Sequence, residues 1–458
     1  MNVGLRQLIP FFDPSVQTWS LEARLLRWLT FLWLFVGLVV LFSASYHSGL
    51  VESNDGLFYF KRQLLWIGMG LVGFQAFSHL PLQRSLSFAW IGFFGCLLMI
   101  FATHFLGVTE MGATRRIEIA GFQLQPSELM KPFLILQSAQ VFGNWFRMKL
   151  KIRLIWLAIF ACLLLGILIQ PNLSTTALCG ISLWLVALAA GLPYFQLSGV
   201  AIGGMLAALT SISRNDYQRR RVMSFLNPWT DPMQDGYQLI QSLLAIGSGG
   251  LWGKGFGMSS QKLAYLPIHN TDFIFSVYAE EFGLAGCLLL MILLSAYGFI
   301  AFRAINRTAD PVYRLVGLGA IVLMLLQALI NIGVSIGALP TTGLPFPFFS
   351  YGGSSMIASL AIAGLIVRVA REGTQGQVIP IKPQSPANLK SVPEPASDGN
   401  FFGAENNATA TQSPPRQLKP PKPSLLARLF DWTTKPGSKM ARKRQAAKNR
   451  RRNSRPPG

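Results

Sequence analysis

The chain has 458 residues, of which 51% are hydrophobic and only 13% charged, whereas soluble domains run near 25% charged. With a mean hydropathy of +0.40, its apolar residues lie in long blocks, which excludes an ordinary soluble enzyme and makes lipid the relevant solvent. The net charge of +21 comes from 40 Lys and Arg against 19 Asp and Glu, so where those charges sit decides what they mean.

Residues 1–27 read as a cytoplasmic N-terminal segment carrying Arg6, Arg24 and Arg27. The apolar block 28–46 is too long and too late for a cleaved signal sequence and predicts a retained span. Further spans follow at 62–79, 86–106, 126–146, 154–171, 173–190, 194–212, 273–301, 313–337 and 350–370. The expected fold class is all-α: a polytopic membrane protein with about ten transmembrane helices, filling residues 28–371. Arg84, then Arg147, Lys149, Lys151 and Arg153, then Arg303, Arg307 and Arg314 occupy alternate short loops, and Arg368 and Arg371 follow the last span. The positive-inside rule puts all of these, and both termini, on the cytoplasmic side. Residues 211–272 then form a large extracytoplasmic loop between spans 7 and 8. Its cations, Arg214, Arg219, Arg220, Arg221, Lys254 and Lys262, break the charge rule, which long loops are free to do. Cys96, Cys162, Cys179 and Cys287 all fall inside apolar runs and read as small buried hydrophobes.

From residue 372 to 458 the composition turns to Pro, Gln, Ser, Asn and Lys, with 16 basic residues against 5 acidic, or +11. This is expected to be a disordered cytoplasmic tail. Its basic end, Lys439 to Arg455, is either a solvated charge run or one drawn to anionic membrane lipids or an acidic partner. No aromatic residues are interleaved there, so nucleic acid is not expected as a partner.

Several residues could carry chemistry. The run GSGGLWGKGFG places six glycines between Gly247 and Gly257. Glycine lets backbone approach a ligand, but no Lys-Ser or Lys-Thr pair follows, so the readings are a phosphate-binding nest or a flexible surface loop. Asp272 stands where the long loop enters span 8, as a helix cap or as a functional acid. Glu280 and Glu281 lie inside that span, where a carboxylate needs a partner or a wet cavity. Glu128 and Lys131, three apart on one helical face, are a structural ion pair or substrate groups. Of His47, His79, His104 and His269, none has metal-ligand spacing, and only His269 lies beside Asp272.

Four blocks resemble the SEDS family (shape, elongation, division and sporulation), also called the FtsW/RodA family. They are GATRRIEIAGFQLQPSELMK (Gly112 to Lys131), QPNLSTT (Gln170 to Thr176), the run from DGYQLIQSLLAIGSGG through YLPIHNTDFIF to Gly283, and LPTTGLPFPFFSYGGSS (Leu339 to Ser355). The resemblance covers the chain up to Arg371, and residues 255–267 are more similar to the division branch than to the elongation branch. It implies a peptidoglycan glycosyltransferase that polymerises lipid II, an undecaprenyl-pyrophosphate-linked disaccharide peptide, on the outer face of the bacterial inner membrane during cell division. The implied partners are a class B penicillin-binding transpeptidase and other divisome proteins. The family's catalytic carboxylate maps onto Asp272, and its substrate-binding Arg and Lys onto Arg115 and Lys131. The sequence departs from the family pattern at Arg116 (usually Trp), Asn172 (usually Asp) and Ile268 (usually Glu).

The chemistry agrees on separate grounds. A sugar hydroxyl must attack an anomeric carbon bearing a lipid pyrophosphate, and one carboxylate can take its proton. Pyrophosphate leaves as an anion stabilised by positive groups or a metal, so no second acid is obligatory. Asp272 is therefore the expected general base for an inverting displacement. Arg115, Lys131, Glu128, Arg219, Arg220, Lys254 and Lys262 are the candidate substrate-binding residues. A divalent cation such as Mg or Mn could assist, although the sequence shows no ligand cluster. The rival readings are a lipid-linked precursor flippase, which intramembrane charges also suit, and a non-catalytic divisome scaffold.

Overall fold

A computed structural model of the chain describes residues 13–110, 113–119, 122–262 and 270–375. His269, Ile268 and the tail beyond residue 375 lie outside the described residues. The chain runs through α1 (Leu21–Ser53), α2 (Phe58–His79) and α3 (Leu82–Leu106), then β1 (Val108–Glu110), β2 (Ala113–Ile119) and β3 (Phe122–Leu124). Next come α4 (Pro126–Gly143), α5 (Leu150–Ile169), α6 (Leu173–Ala189), α7 (Tyr194–Arg214), α8 (Asp216–Leu226) and α9 (Tyr237–Gly249). The series ends with α10 (Ile274–Arg307), α11 (Pro311–Ser335) and α12 (Gly353–Gln375). Each expected span coincides with one helix, namely α1 to α7 and α10 to α12. Seven of these are long and apolar enough by themselves to cross a membrane. The exceptions are α6, which is short at 17 residues, and α2 and α4, which bury polar side chains including Gln63, Gln75, Glu128 and Lys131.

Local chemistry sets the helix ends. Ser20 caps α1 by accepting from the Ala23 N–H at 3.2 Å, and Asn172 caps α6 through Thr175 N–H at 3.2 Å. Asp310 caps α11 ahead of a proline at its first position, where the missing N–H costs nothing. The centre of the bundle is α12, whose apolar window is 89% buried and which packs on α1, α2, α4, α10 and α11. By contrast α7 is 6% buried, so its whole circumference is suited to lipid. The four cysteines are free; Cys96 and Cys179 are buried, but Cys162 is exposed, because α5 turns an apolar face outward.

Two features depart from the expected plan. The GATRR block is not helical but forms the centre of an antiparallel sheet, order β1-β2-β3, with Ile117 opposite Leu124. The long connection 211–272 is partly folded, since α7 is followed by α8 and α9 before the chain reaches α10.

The bundle has two distinct ends. At one end Ser20 Oγ donates to the Ala370 carbonyl at 3.0 Å, Arg307 pairs with Glu22, and Arg371 lies 4.2 Å over the Trp19 ring. This end gathers the start of α1 and the close of α10 and α12. The opposite end gathers β2, the α5–α6 turn, α8, the entry to α10 and the 339–352 turn.

Candidate active site

Asp272 is fixed in the turn before α10 by its backbone. Asn331 Nδ2 on α11 donates to the Asp272 carbonyl at 2.8 Å and to the Leu344 carbonyl at 2.9 Å, tying the acid to the LPTTG turn. Ser350 Oγ donates to the Thr271 carbonyl, and the Tyr351 N–H to the Asn270 carbonyl at 2.9 Å. The capping alternative is not met: Phe273 occupies the cap position of α10 and no side chain caps it. The Asp272 carboxylate is left for other work. Gly343 adopts φ +71°, and a Cβ there would stand 3.5 Å from Asp272 Oδ2 and 3.6 Å from an Arg221 nitrogen. The acid and the guanidinium therefore flank a residue without a side chain.

Arg221 and Arg115 form the positive wall. Arg221 donates to the Thr341 carbonyl at 3.2 Å, while Arg115 on β2 donates to the Gln170 carbonyl at 3.1 Å and to the Pro171 carbonyl. Tyr217 lies between them, its ring centre 4.5 Å from the Arg221 carbon and 5.9 Å from that of Arg115, within cation–π range. Besides Asp272, the two guanidinium groups are held by neutral carbonyls and one shared ring, so the site keeps an excess of positive charge, which suits an anion. A cleft of about 70 Å³ opens here, lined by Arg115, Pro171, Asn172, Tyr217, Arg221 and Thr341 among others. Burial pushes the Asp272 carboxyl above the usual carboxylate range, opposed by the charges of Arg221, Arg116 and Arg115. Burial likewise pulls the Arg115 guanidinium below its ordinary value.

The glycine-rich run serves a different anion from the expected one. Helix α10 is broken at Gly283 (φ 64°, ψ −165°), and residues 250–255 are laid into the break. Lys254 N–H donates to the Glu280 carbonyl at 2.9 Å, Gly255 N–H to that of Glu281 at 3.0 Å, and Leu284 N–H to that of Gly250 at 3.0 Å. The Glu280 carboxylate accepts from Lys254 Nζ at 2.6 Å, Ser248 Oγ at 3.2 Å, Ser260 N–H at 3.1 Å and Gln261 N–H at 3.3 Å. Glu281 pairs with Lys262 at 2.8 Å and accepts from Ser43 Oγ at 2.6 Å. The run thus sets its backbone N–H groups on the carbonyls of Glu280 and Glu281, while the Lys254 ammonium and the N–H groups of Ser260 and Gln261 hold the Glu280 carboxylate. Of the candidate substrate-binding residues, Lys254 and Lys262 thus pair with the carboxylates of Glu280 and Glu281.

Lys131 is 1% exposed and pairs with Glu128 at 2.6 Å. Its ammonium also donates to Gln327 Oε1 at 2.8 Å, and Gln327 Nε2 donates to the Pro345 carbonyl at 2.7 Å. The pair therefore props the same turn that holds Asp272, one turn of α11 away from Asn331. Arg219 and Arg220 are not brought to Asp272; they line a separate cleft on the other side of α8. Of the candidate substrate-binding residues, Arg115 alone lines the cleft beside Asp272. Arg221, which the candidate set read from the sequence leaves out, is the second. Its signal was the four-residue spacing from Tyr217, which puts both on one face of α8. Among the described residues no three His, Cys, Asp or Glu side chains gather as metal ligands.

The comparisons with known proteins fall on this same frame. A family model described as cell cycle protein, covering FtsW, RodA and SpoVE, matches residues 23–375. The chain is 54% identical over 378 residues to the "Probable peptidoglycan glycosyltransferase FtsW" of Synechocystis sp., covering 82% of this chain and 96% of that one. It is 33% identical over 351 residues to stage V sporulation protein E of Bacillus subtilis, covering 75% and 95%. Among solved structures, a chain from a study of how a peptidoglycan synthase complex coordinates polymerization and crosslinking is similar, with a TM-score of 0.60 at 27% identity, covering 76% of this chain and 98% of that one. The rod shape determining protein RodA of Thermus thermophilus gives a TM-score of 0.57 at 26% identity, covering 76% and 96%.

Proposed function

The chain belongs to the FtsW/RodA/SpoVE family of SEDS proteins, and we propose that Asp272 is the general base with which it, as a multi-pass membrane peptidoglycan glycosyltransferase, extends glycan strands. The observation that carries this reading is the convergence of one carboxylate, Asp272, with two guanidinium groups, Arg115 and Arg221, brought from distant parts of the chain to the neighbourhood of one cleft. The acceptor sugar hydroxyl attacks the anomeric carbon of lipid II as its proton passes to an Asp272 carboxylate oxygen. The bond from that carbon to the pyrophosphate oxygen breaks, and undecaprenyl pyrophosphate leaves as an anion with inversion at carbon. Arg115 and Arg221 stabilise that developing charge, which is where electrostatic catalysis gains most. Raising the pKa of the base brings it closer to the operating pH and improves proton transfer. Lys131 and Glu128 act by holding the 339–352 turn.

The distribution of Lys and Arg supports a bacterial inner-membrane location with both termini in the cytoplasm and Asp272 on the outer face. The natural partner is a class B penicillin-binding transpeptidase that crosslinks the strands, alongside other divisome proteins. The test is polymerisation of labelled lipid II by purified protein with and without that partner. Asp272→Asn should lose activity, and Asp272→Ser, which keeps a hydrogen-bonding oxygen but no carboxylate, should lose it equally. Full activity in either variant overturns the assignment, and lipid II translocation without polymer would favour transport.

A further inference from the structure

The cleft on the far side of α8 is unexplained by the chemistry above. It has a volume of about 690 Å³ and is lined by five ionisable side chains, Asp216, Arg219, Arg220, Asp231 and Asp235. Among the described residues none of the five makes an ion pair or a side-chain hydrogen bond, although both signs face one space. Gly236 N–H donates to the Asp231 carbonyl at 3.0 Å, and a Cβ on Gly236 would stand 2.0 Å from the Pro228 carbonyl oxygen. The 228–236 turn is thus closed tightly on itself at the cleft's edge.

We propose that this cleft binds the peptide carried by the lipid-linked substrate, a short chain bearing carboxylates together with a free amine. The inference rests on the glycosyltransferase reading and extends it from the sugar to the peptide. Three carboxylates repel a polyanion such as a second diphosphate, and two guanidinium groups repel a simple cation. A ligand with both charges satisfies both walls, Arg219 and Arg220 taking its carboxylates and Asp216, Asp231 and Asp235 its ammonium. The volume lies within the range of about 300–1,000 Å³ usual for ligand clefts. Placement agrees as well. Helix α8 turns Tyr217 and Arg221 toward the diphosphate cleft and Asp216, Arg219 and Arg220 toward this one, so the two are separated by about one helix thickness, some 10 Å. The peptide hangs from the sugar next to the diphosphate, and leads that way.

The test uses full-length protein in nanodiscs, with lipid II carrying its complete peptide and with the same lipid-linked disaccharide lacking the peptide. The parent should show a KM about tenfold lower for the complete substrate, a difference of about 1.4 kcal/mol, with similar kcat. Arg219→Glu combined with Arg220→Glu should raise KM much more on the complete substrate than on the peptide-free one. Restoring positive charge with Arg219→Lys and Arg220→Lys should recover most of the preference. Equal KM values for the two substrates in the parent, or an equal rise on both in the charge-reversed variant, overturns the proposal. A second arm is independent of catalysis: fluorescently labelled free peptide should bind the Asp272→Asn protein saturably and fail to bind when Arg219 and Arg220 are also reversed. If the general-base reading fails, Asp272→Asn stays active and the KM comparison still decides; if no form polymerises, the peptide-binding arm decides alone.

Discussion

Asp272 is held by its backbone, with its carboxylate and the Arg221 guanidinium flanking Gly343. Its raised pKa has two consequences that can be measured. Activity needs the ionised form, so kcat/KM should climb with pH through a midpoint above the ordinary aspartate value of about 3.9. Arg221→Gln removes a charge that favours ionisation and should move that midpoint higher still, besides weakening transition-state stabilisation; an unmoved midpoint would separate Arg221 from the acid. Stability runs the other way. A carboxyl whose pKa is raised on folding adds stability that is fully present below its unfolded pKa and lost as pH rises through the folded one. Above that point the ionised group costs the folded protein. Asp272→Asn should therefore lower kcat by about 10² to 10⁴ while leaving the thermal midpoint at pH 7.5 equal to the parent's or higher. A lower midpoint would mark Asp272 as structural. Gly343→Ala tests the same spot sterically. With φ at +71° and both functional groups within 3.6 Å of the new methyl, it should cost about 1 kcal/mol in stability and far more in turnover, read by comparing melting and polymerisation.

At the scale of elements, α10 matters because it is broken. Its first nine residues carry Glu280 and Glu281, and the break at Gly283 admits a strand of loop in place of a helical turn. Gly253 has φ +80°, and a Cβ on it would lie 2.2 Å from the Glu281 carbonyl oxygen, so Gly253→Ala should expel the loop from the break. Glu281→Leu leaves Lys262 buried without its carboxylate and should destabilise by about 3 to 5 kcal/mol. Since Asp272 closes the same long connection, both variants should show reduced activity together with faster proteolysis between α9 and α10; intact resistance would mean that the loop is held by something else. The sequence makes the spans legible because each is an apolar block of membrane length, and all ten coincide with helices. It does not show that Glu280 selects the glycine-rich run as its partner, because that pairing joins residues about 20 to 30 apart through backbone N–H groups common to every residue. The β2 strand is hidden for a related reason: ATRRIEI is short, and its charged residues look like loop when read alone.

For the whole molecule the decisive fact is that one end of the bundle collects helix termini and basic side chains while the opposite end collects the acid, Arg115 and Arg221. The three parts of the +21 charge have different uses. On the proposed reading, cations at the first end orient the protein, Arg115 and Arg221 at the second face the substrate, and the tail carries a further share. The core that positions Asp272 is complete within the described residues: α12 sits at its centre, and the family match closes at residue 375. A chain ending there retains every contact that fixes Asn331, Gly343 and Arg221. It should insert, melt within a few degrees of the full chain, and polymerise lipid II at a rate within about twofold, since Asp272, Arg115 and Arg221 all remain. Septal placement in cells is the property it should lose, because the removed residues 376–458, with 16 basic and 4 acidic side chains or +12, are suited to anionic lipid or an acidic partner at the cytoplasmic face. Fluorescent fusions of the full and shortened chains, with parallel polymerisation assays on the purified proteins, separate the two roles. A tenfold loss of polymerisation in the shortened chain would show that the tail supports catalysis.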